Sequence, residues 1–415
     1  MWKIALKQLW KNRKFNSWFF VEILIVSVLL WYCVDFLYVL VRKNIEPTGL
    51  NTDHVYRLNL GTNFNQNFDR NNIDTVEAYM LDPLLQIVRL VREYPGVEAV
   101  AYSYGTTQFS EWYMFQNYTT NDSSSCHSAI RYVSEEYPEV FKMDMRKGGF
   151  TDWDLRAMPQ GAVLSPDLAD SLFHSQDVVG KTFHDYYTPD LKYKVAGISS
   201  PMKFQKYDRY QSFIYVPFSQ KHLASSVPAI EVRVRPEADS PQFAEQFIGA
   251  MKTRLNIGFF YLFGFMSYDF RSEVANINSG ITQYVSVVAG LVSFFMFIIF
   301  LGIMGMFWFQ VESRKSEIGL RMALGASRRS VLSYLVLEST VIFVLAFLPA
   351  LIICANLAYW DVTYTFNNAM DYTWSRFWIT VFITALIMNS VVSLGVLIPA
   401  YRASTVHPVE ALRNE

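Results

Sequence analysis

Four long stretches of the chain lack the regularly placed polar residues that a water-facing helix or strand would carry. The first, SWFFVEILIVSVLLWYCVDFLYVLV at 17–41, is long enough at about 1.5 Å per helical residue to cross a hydrocarbon layer of about 30 Å. The second, within 279–310, contains YVSVVAGLVSFFMFIIFLGIMGMFWF and has small residues at Gly290, Gly302 and Gly305, where helices can approach closely. Two more occupy 331–358 and 377–399. The pattern predicts four transmembrane α-helices.

Between 42 and 278 the period shortens. DPLLQIVRLVREYPG (82–96) and PQFAEQFIGAMKTRL (241–255) place apolar residues at helical spacing. VEAVAYSYG (97–105), LKYKVAGIS (191–199), SFIYVP (212–217) and AIEVRVRP (229–236) alternate or run in β-branched residues, as strands do. The expectation is a large α+β domain between the first and second spans. Ser165 and Pro166 read as a helix start, with Asp167 and Asp170 in its first turns rather than at a catalytic centre.

Basic residues fix the orientation. Lys3, Lys7, Lys11, Arg13 and Lys14 precede the first span, and Arg314, Lys315, Arg321, Arg328 and Arg329 lie between the second and third. Arg402 and Arg413 follow the fourth. With four spans all three groups fall on one side, which the positive-inside rule makes cytoplasmic. The 42–278 domain and the short 359–376 loop then face outward, and both termini face inward. The length of the first apolar run and its lack of a small-x-small cleavage site argue for a retained anchor over a signal peptide. Residues 1–16 form an expected amphipathic interfacial helix, with Trp2 and Trp10 toward the lipid.

Composition agrees with a membrane protein. Of 415 residues, 52% are hydrophobic and only 18% charged. The formal net charge of −1 argues against bulk nucleic-acid binding. Cys33, Cys126 and Cys354 are too scattered for a disulfide framework or a metal cluster, and the six histidines are dispersed. No HExxH or GxSxG stretch appears, so no catalytic or metal-ligating residue is assigned. Glu22 and Asp35 sit near the ends of the first span, within reach of headgroups or of other protein. Glu338 lies about two turns into the third, where a carboxylate must face protein or a wet cavity.

The segment VESRKSEIGLRMALGASRRSVLSYLVLES (311–339) resembles the signature of the FtsX-like permease family. The likeness runs from Glu312 to Glu338 through Glu317, Ile318, Gly319, Arg321, Ala323, Gly325, Ala326 and Arg329. IALKQLWKNRK (4–14) and PAYRASTVHPVEALRNE (399–415) resemble the flanks of that family's permeases. FKMDMRKGGF, GAVLSPDLADSLF, VVGKTF and YKVAGI, between Phe141 and Ile198, look like the outward domain of its macrolide-exporter type.

The resemblance implies a permease dimer working with a separate cytoplasmic ABC ATPase, and a periplasmic adaptor and outer-membrane channel beyond it. The setting it implies is a bacterial inner membrane. These 415 residues hold no GxxxxGK[ST] stretch, so ATP and Mg²⁺ are expected on the ATPase and no cofactor on this chain. In the 311–330 coupling segment Glu312, Arg314, Glu317 and Arg321 offer mixed charge to a partner groove. Gly319, Ala323, Gly325 and Ala326 suit close packing or a tight turn. Arg328 and Arg329 suit membrane anchoring at phosphate headgroups, and Glu338 suits intramembrane polar packing. The output implied is export or extraction, lipoprotein release included; the alternative is a signalling or scaffold subunit that regulates a periplasmic or cell-wall partner.

Overall fold

The structure is a computed structural model that describes residues 13–63, 73–110, 112–120, 125–150, 159–219, 222–223, 227–313, 318, 320, 322–360, 362 and 370–405. Two compact units divide the chain: a helical unit of Met1–Arg42 with Ile281–Glu415, and an outward unit of Lys43–Gly280. The chain is a membrane protein with four long apolar helices and a large α+β domain between the first two.

The first helix, α1 (Arg13–Ile45), contains the first span. Beyond it come β1 (Val55–Thr62), α2 (Asp82–Arg92) and β2 (Val97–Gly105), with a π-helical turn at Glu77–Leu81 leading into α2. Pro83 stands in the first turn of α2, which Asp82 opens and Arg89 and Arg92 close, an order that suits the helix dipole. The next elements are β3 (Phe115–Thr119), β4 (Ser125–Val133), α3 (Tyr137–Phe141), β5 (Met145–Gly148) and β6 (Gln160–Leu164). Then follow α4 (Pro166–Phe173), β7 (Thr182–Asp185), β8 (Lys192–Ser199) and β9 (Phe213–Pro217). The Ser165 hydroxyl caps α4 by accepting from the Leu168 amide at 3.3 Å. The unit closes with β10 (Ala229–Val234), α5 (Phe243–Met251), β11 (Phe260–Ser267) and α6 (Tyr268–Asn278).

Pairing sorts these elements into two halves. β11, β1, β10 and β2 form an antiparallel sheet in that order, with α2 joining β1 to β2 and α5 joining β10 to β11. This is a doubled split βαβ arrangement. Leu58, Val100, Ile230 and Val232 pack there with Leu84, Ile87, Val91, Phe243 and Phe247. The second half is inserted between β2 and β10. Its pairings run β4 to β3, β7, β8, β6, β9 and back to β4, so six strands close a ring and leave no free edge among themselves. β4 belongs to both halves, because Ser103–Gly105 of β2 also pair with its Arg131–Val133 end.

In the helical unit, α7 (Ile281–Glu312), α8 (Arg328–Tyr359) and α9 (Trp374–Thr405) join α1. Phe19, Ile23 and Leu30 of α1 share a core with Ile303 and Phe307 of α7, Leu335 and Ile342 of α8, and Met388 and Val392 of α9. Of the three glycines singled out in the second span, only Gly302 is in a tight place: a Cβ there would meet the Glu22 carboxylate at 2.4 Å. Gly290 and Gly305 face open space, and the close approach of α7 and α9 falls instead at Gly395, where a Cβ would lie 2.8 Å from Ile303. Asp35 pairs with Arg376 at the start of α9, whose Nε donates to it at 2.9 Å and whose Nη2 donates to its other oxygen. That bidentate pair satisfies both charges away from water.

Candidate functional site

Part of the segment expected to meet a partner is described. Glu312 ends α7 with its side chain exposed, and Ile318 turns into the helical core. Leu320 and Leu324, four residues apart, are 52% and 81% exposed. Gly325 adopts a φ of +97°, a left-handed conformation that glycine enters without a Cβ penalty, and it turns the chain into Ser327. The Ser327 hydroxyl caps α8 by accepting from the Ser330 amide at 3.3 Å. Ala323 is exposed, Ala326 is half-buried, and Arg328 and Arg329 are exposed on the first turn of α8. Glu338 is buried in the same helix among Leu335, Ser339 and Ile342. Arg314, Glu317, Gly319 and Arg321, like Trp2 and Trp10, lie outside the described residues. At the end of α9 the Arg402 guanidinium sits 4.5 Å from the centre of the Trp308 ring.

A second assembly has no counterpart in the sequence reading. The residues after the first span, 43–54, are strapped to the outward unit at successive points. Glu46 accepts from Lys43 Nζ at 2.9 Å and from the buried Lys203 Nζ at 2.7 Å. The Tyr210 hydroxyl donates to the Pro47 carbonyl at 3.2 Å. The Thr48 carbonyl accepts from Gln108 Nε2 at 2.9 Å and from the Lys203 amide at 3.0 Å. Farther along, the Arg233 guanidinium donates to the Asn51 carbonyl and side chain at 2.8 and 2.9 Å and to the Asp53 carbonyl at 2.9 Å.

Burial alone would raise the Glu46 carboxyl, but hydrogen bonds from Lys203 and Lys43 hold it below its ordinary value. At Lys203 burial outweighs the attraction of Glu46, and the ammonium titrates below its usual range. Gly49 is the strap's tightest point, with φ at +95° and the Pro201 carbonyl oxygen 2.3 Å from where a Cβ would stand. Gly49→Ala is therefore expected to cost at least about 1–3 kcal/mol from backbone conformation alone, with the clash added. Comparing denaturant midpoints of the full chain in detergent measures it; an unchanged midpoint would mean the strap is not held as described.

The third feature is a buried ion pair joining the two halves of the outward unit. Arg131 on β4 donates to Glu231 on β10 at 2.6 Å and to the Ser103 hydroxyl at 2.9 Å, and that hydroxyl donates to Glu231 at 3.0 Å. The Tyr137 ring covers the guanidinium, its centre 4.7 Å away. Sequence reading missed Arg131, Glu231, Arg233 and Lys203 because charged residues read as solvent-facing. The only trace was AIEVRVRP, whose charges alternate with apolar residues on a strand that proves to be buried on both faces. Among the described residues no group of three or more His, Cys, Asp or Glu side chains gathers to hold a metal.

Four spans with a large α+β unit between the first and second define a multi-pass membrane protein. A family model described as the MacB-like periplasmic core domain matches residues 37–250, just over half of the chain, and one described as the FtsX-like permease C-terminal matches 289–408. The chain belongs to this MacB-like, FtsX-like permease family of ABC transporters. Both matches are to permease regions, neither of them a nucleotide-hydrolysing domain, and the topology is that of a multi-pass inner-membrane protein with a large extracytoplasmic domain.

Among curated relatives, the macrolide export ATP-binding/permease protein MacB of Vibrio parahaemolyticus is 21% identical over 308 residues, covering 72% of this chain and 44% of that protein. The protein of the same name from Pasteurella multocida is 25% identical over 308 residues, with the same two coverages of 72% and 44%. The chain thus spans less than half the length of these relatives. Among solved structures, the periplasmic region of MacB from Actinobacillus actinomycetemcomitans aligns with a TM-score of 0.36 at 15% identity, over 56% of this chain and 97% of that one. The extracellular domain of the ABC-type transporter YknZ from Gram-positive bacteria aligns with a TM-score of 0.30 at 17% identity, over 43% and 87%.

Proposed function

We propose that this chain is a permease subunit that couples ATP hydrolysis by a separate cytoplasmic ABC ATPase to movement of its outward unit, and so drives export or extraction. The observation that carries this reading is the strap. The first span runs without a break as one helix to Ile45, and the residues directly after it are tied into the outward unit by Glu46, Pro47, Thr48 and Asn51. A displacement of that helix end is passed to a folded domain instead of being lost in a loose linker. Four helices make a modest bundle, and the reading requires no wide channel through it.

The partners follow from the same reading. The ATPase holds ATP and Mg²⁺; the exposed Leu320 and Leu324, together with Glu312, Arg314, Glu317 and Arg321, form the surface it meets. Two copies of the chain work with it as a permease dimer, Arg328 and Arg329 hold the loop at the lipid headgroups, and a periplasmic adaptor and outer-membrane channel receive the substrate. Macrolides enter as candidates through the names of the relatives.

A photoreactive residue at Glu317 in native membranes is expected to capture an ATPase in a nucleotide-dependent manner. Charge reversal, Glu317→Lys with Arg321→Glu, is expected to lower permease-stimulated ATPase activity and transport about tenfold while insertion stays normal, since like charges then oppose complementary ones. Capture of a periplasmic hydrolase on the outward side, with no ATPase at the loop, would favour the scaffold reading; unaltered coupling in the charge-reversed chain would remove these residues from the contact.

A further inference from the structure

An open cleft of 370 Å³ lies within the outward unit between the segment after β2 and helix α6, lined by Phe109, Trp112, Met266, Phe270, Arg271 and Val274 among others. Its volume falls near the lower end of the roughly 300–1,000 Å³ of pockets that hold small organic molecules. Trp112 and Phe270 are 56% and 50% exposed, while Tyr268 and Ala275 pack into the domain core and hold α6 in place. The facing wall is fixed under strain. Phe109 has a φ of +55°, a left-handed conformation rare for a bulky side chain. Its amide donates to the Phe204 carbonyl at 3.0 Å, and its carbonyl accepts from Arg271 Nη2 at 3.3 Å. Backbone strain held from both sides in this way gathers at ligand sites, where it keeps the site preformed.

Charge says what kind of molecule fits. Arg271 is the one ionisable side chain among the described lining residues, and its buried Nε–H finds no acceptor among them. Burial first, and the neighbouring Arg57 after it, push its guanidinium below the ordinary value. Arg57 donates to the neutral oxygens of Asn59 at 3.1 Å and Thr107 at 2.8 Å, and the nearby Glu231 is already paired with Arg131. Asp269 and Glu273 flank Arg271 on α6 at a two-residue spacing, which does not bring side chains to one face. Three arginines thus share one carboxylate, and the positive charge left over borders an apolar cleft.

We propose that this cleft binds a small amphipathic carboxylate, its apolar body against Phe109, Trp112 and Phe270 and its carboxylate on Arg271. One guanidinium balances one negative charge, and a carboxylate is a compact, planar head that a guanidinium matches with charge-assisted hydrogen bonds. Apolar walls penalise a doubly charged phosphate ester, whose second charge would go unpaired there. A neutral molecule of the same shape keeps the aromatic contacts but leaves the arginine cluster uncompensated, so the site selects for charge as well as shape. The cleft lies wholly within the outward unit, and its occupancy is independent of the ATPase coupling.

The test photolyses the full chain in detergent with 4-benzoylphenylacetate or with its primary amide, at equal free concentration, and maps adducts by mass spectrometry of peptides. Adducts are expected on α6 or on the segment bearing Phe109 and Trp112, with the acid exceeding the amide by about tenfold, the ratio that one hydrogen bond to a charged group supplies. Arg271→Gln is expected to lower labelling by the acid to that of the amide, whose own labelling persists and shows that the cleft is intact. Arg271→Lys is expected to keep most of the preference, and Val274→Glu, which places an acid in the wall, to remove it. Four results would each overturn the proposal: no labelling of the cleft by either probe, equal labelling by the two in the parent chain, a preference that survives Arg271→Gln, or its loss in millimolar inorganic phosphate. The last would mean that a free inorganic anion, with no apolar body, is the ligand.

Discussion

Replacing Arg131 by methionine is expected to destabilise the outward unit by about 3–5 kcal/mol, the cost of leaving a buried charge without its partner. Glu231 would keep only the Ser103 hydroxyl, since Arg131 is its one ion-pair partner among the described residues. The loss should fall on the junction of the two halves, because Arg131 belongs to the closed six-stranded ring and Glu231 to the split βαβ sheet. Protease cleavage within the outward unit should therefore appear before the helical unit yields. The double variant Arg131→Met with Glu231→Leu should recover most of the stability, since an apolar pair of similar volume often equals or exceeds a buried ion pair. Unfolding of the full chain in detergent, across both single variants and the double, measures this coupling. If the single variant lost less than about 1 kcal/mol, the pair would be a passive contact and the junction would be held by packing alone.

The contrast between the spans and this ion pair explains what the sequence could reveal. A span is a local property: an apolar run such as 284–309 has only one inexpensive environment, so composition along the chain suffices. Within the outward unit, the helices near 82–96 and 241–255 and the strands near 97–105, 191–199, 212–217 and 229–236 are also local patterns, and the structure has elements at each. Closure of the ring is not local. It depends on β9 returning to β4 across about eighty residues, and VYRLNLGT or SCHSAIRYV alone names no partner strand.

Buried charge is harder still. In β10, Ile230 and Val232 face the helices, while Glu231 and Arg233 face the other half of the domain, so strict alternation here means two cores and not one core against water. Asp35 raised the question of headgroups or protein, and Arg376, read as part of an outward loop, supplies the answer only once α9 is packed beside α1. In the coupling loop the sequence offered Gly319, Ala323, Gly325 and Ala326 together for close packing or a tight turn, and the left-handed backbone at Gly325 is a detail that only the structure supplies. The surface that a partner would meet takes its shape from that partner as well.

Lys203→Met is expected to separate stability from coupling. The ammonium is buried and titrates below its ordinary range, a sign that Glu46 does not fully repay its desolvation. An unbranched apolar side chain removes that cost, so the unfolding midpoint should move by less than about 1 kcal/mol in either direction. Glu46 keeps Lys43, and Pro47 and Thr48 keep the Tyr210 hydroxyl and the backbone amide of residue 203, but the strap loses the charged tie from Glu46 to that segment. If the strap transmits force as proposed, the lost bond to a charged group, about 1.5–3 kcal/mol, should appear as roughly a tenfold fall in permease-stimulated ATPase activity and transport.

Acidity supplies an independent check. Because Glu46 is held below its ordinary value near 4.5, its contribution is complete at neutral and mildly acidic pH and disappears only as pH falls through that depressed value. On the alkaline side Lys203 gives up its proton earlier than an exposed lysine would, which breaks the ion pair and slackens the strap, while the contribution of this group to global stability rises with pH because the unfolded chain then holds the proton that the folded one has lost. Hydrogen exchange at the Lys203 amide, which donates to Thr48, should therefore accelerate at both extremes in the parent chain, after correction for its intrinsic pH dependence. In Lys203→Met the acceleration should already be present at neutral pH. A variant whose exchange rises while its coupling stays intact would show that the strap only fastens the domain, and force would then have to enter the outward unit through α6 and the second span.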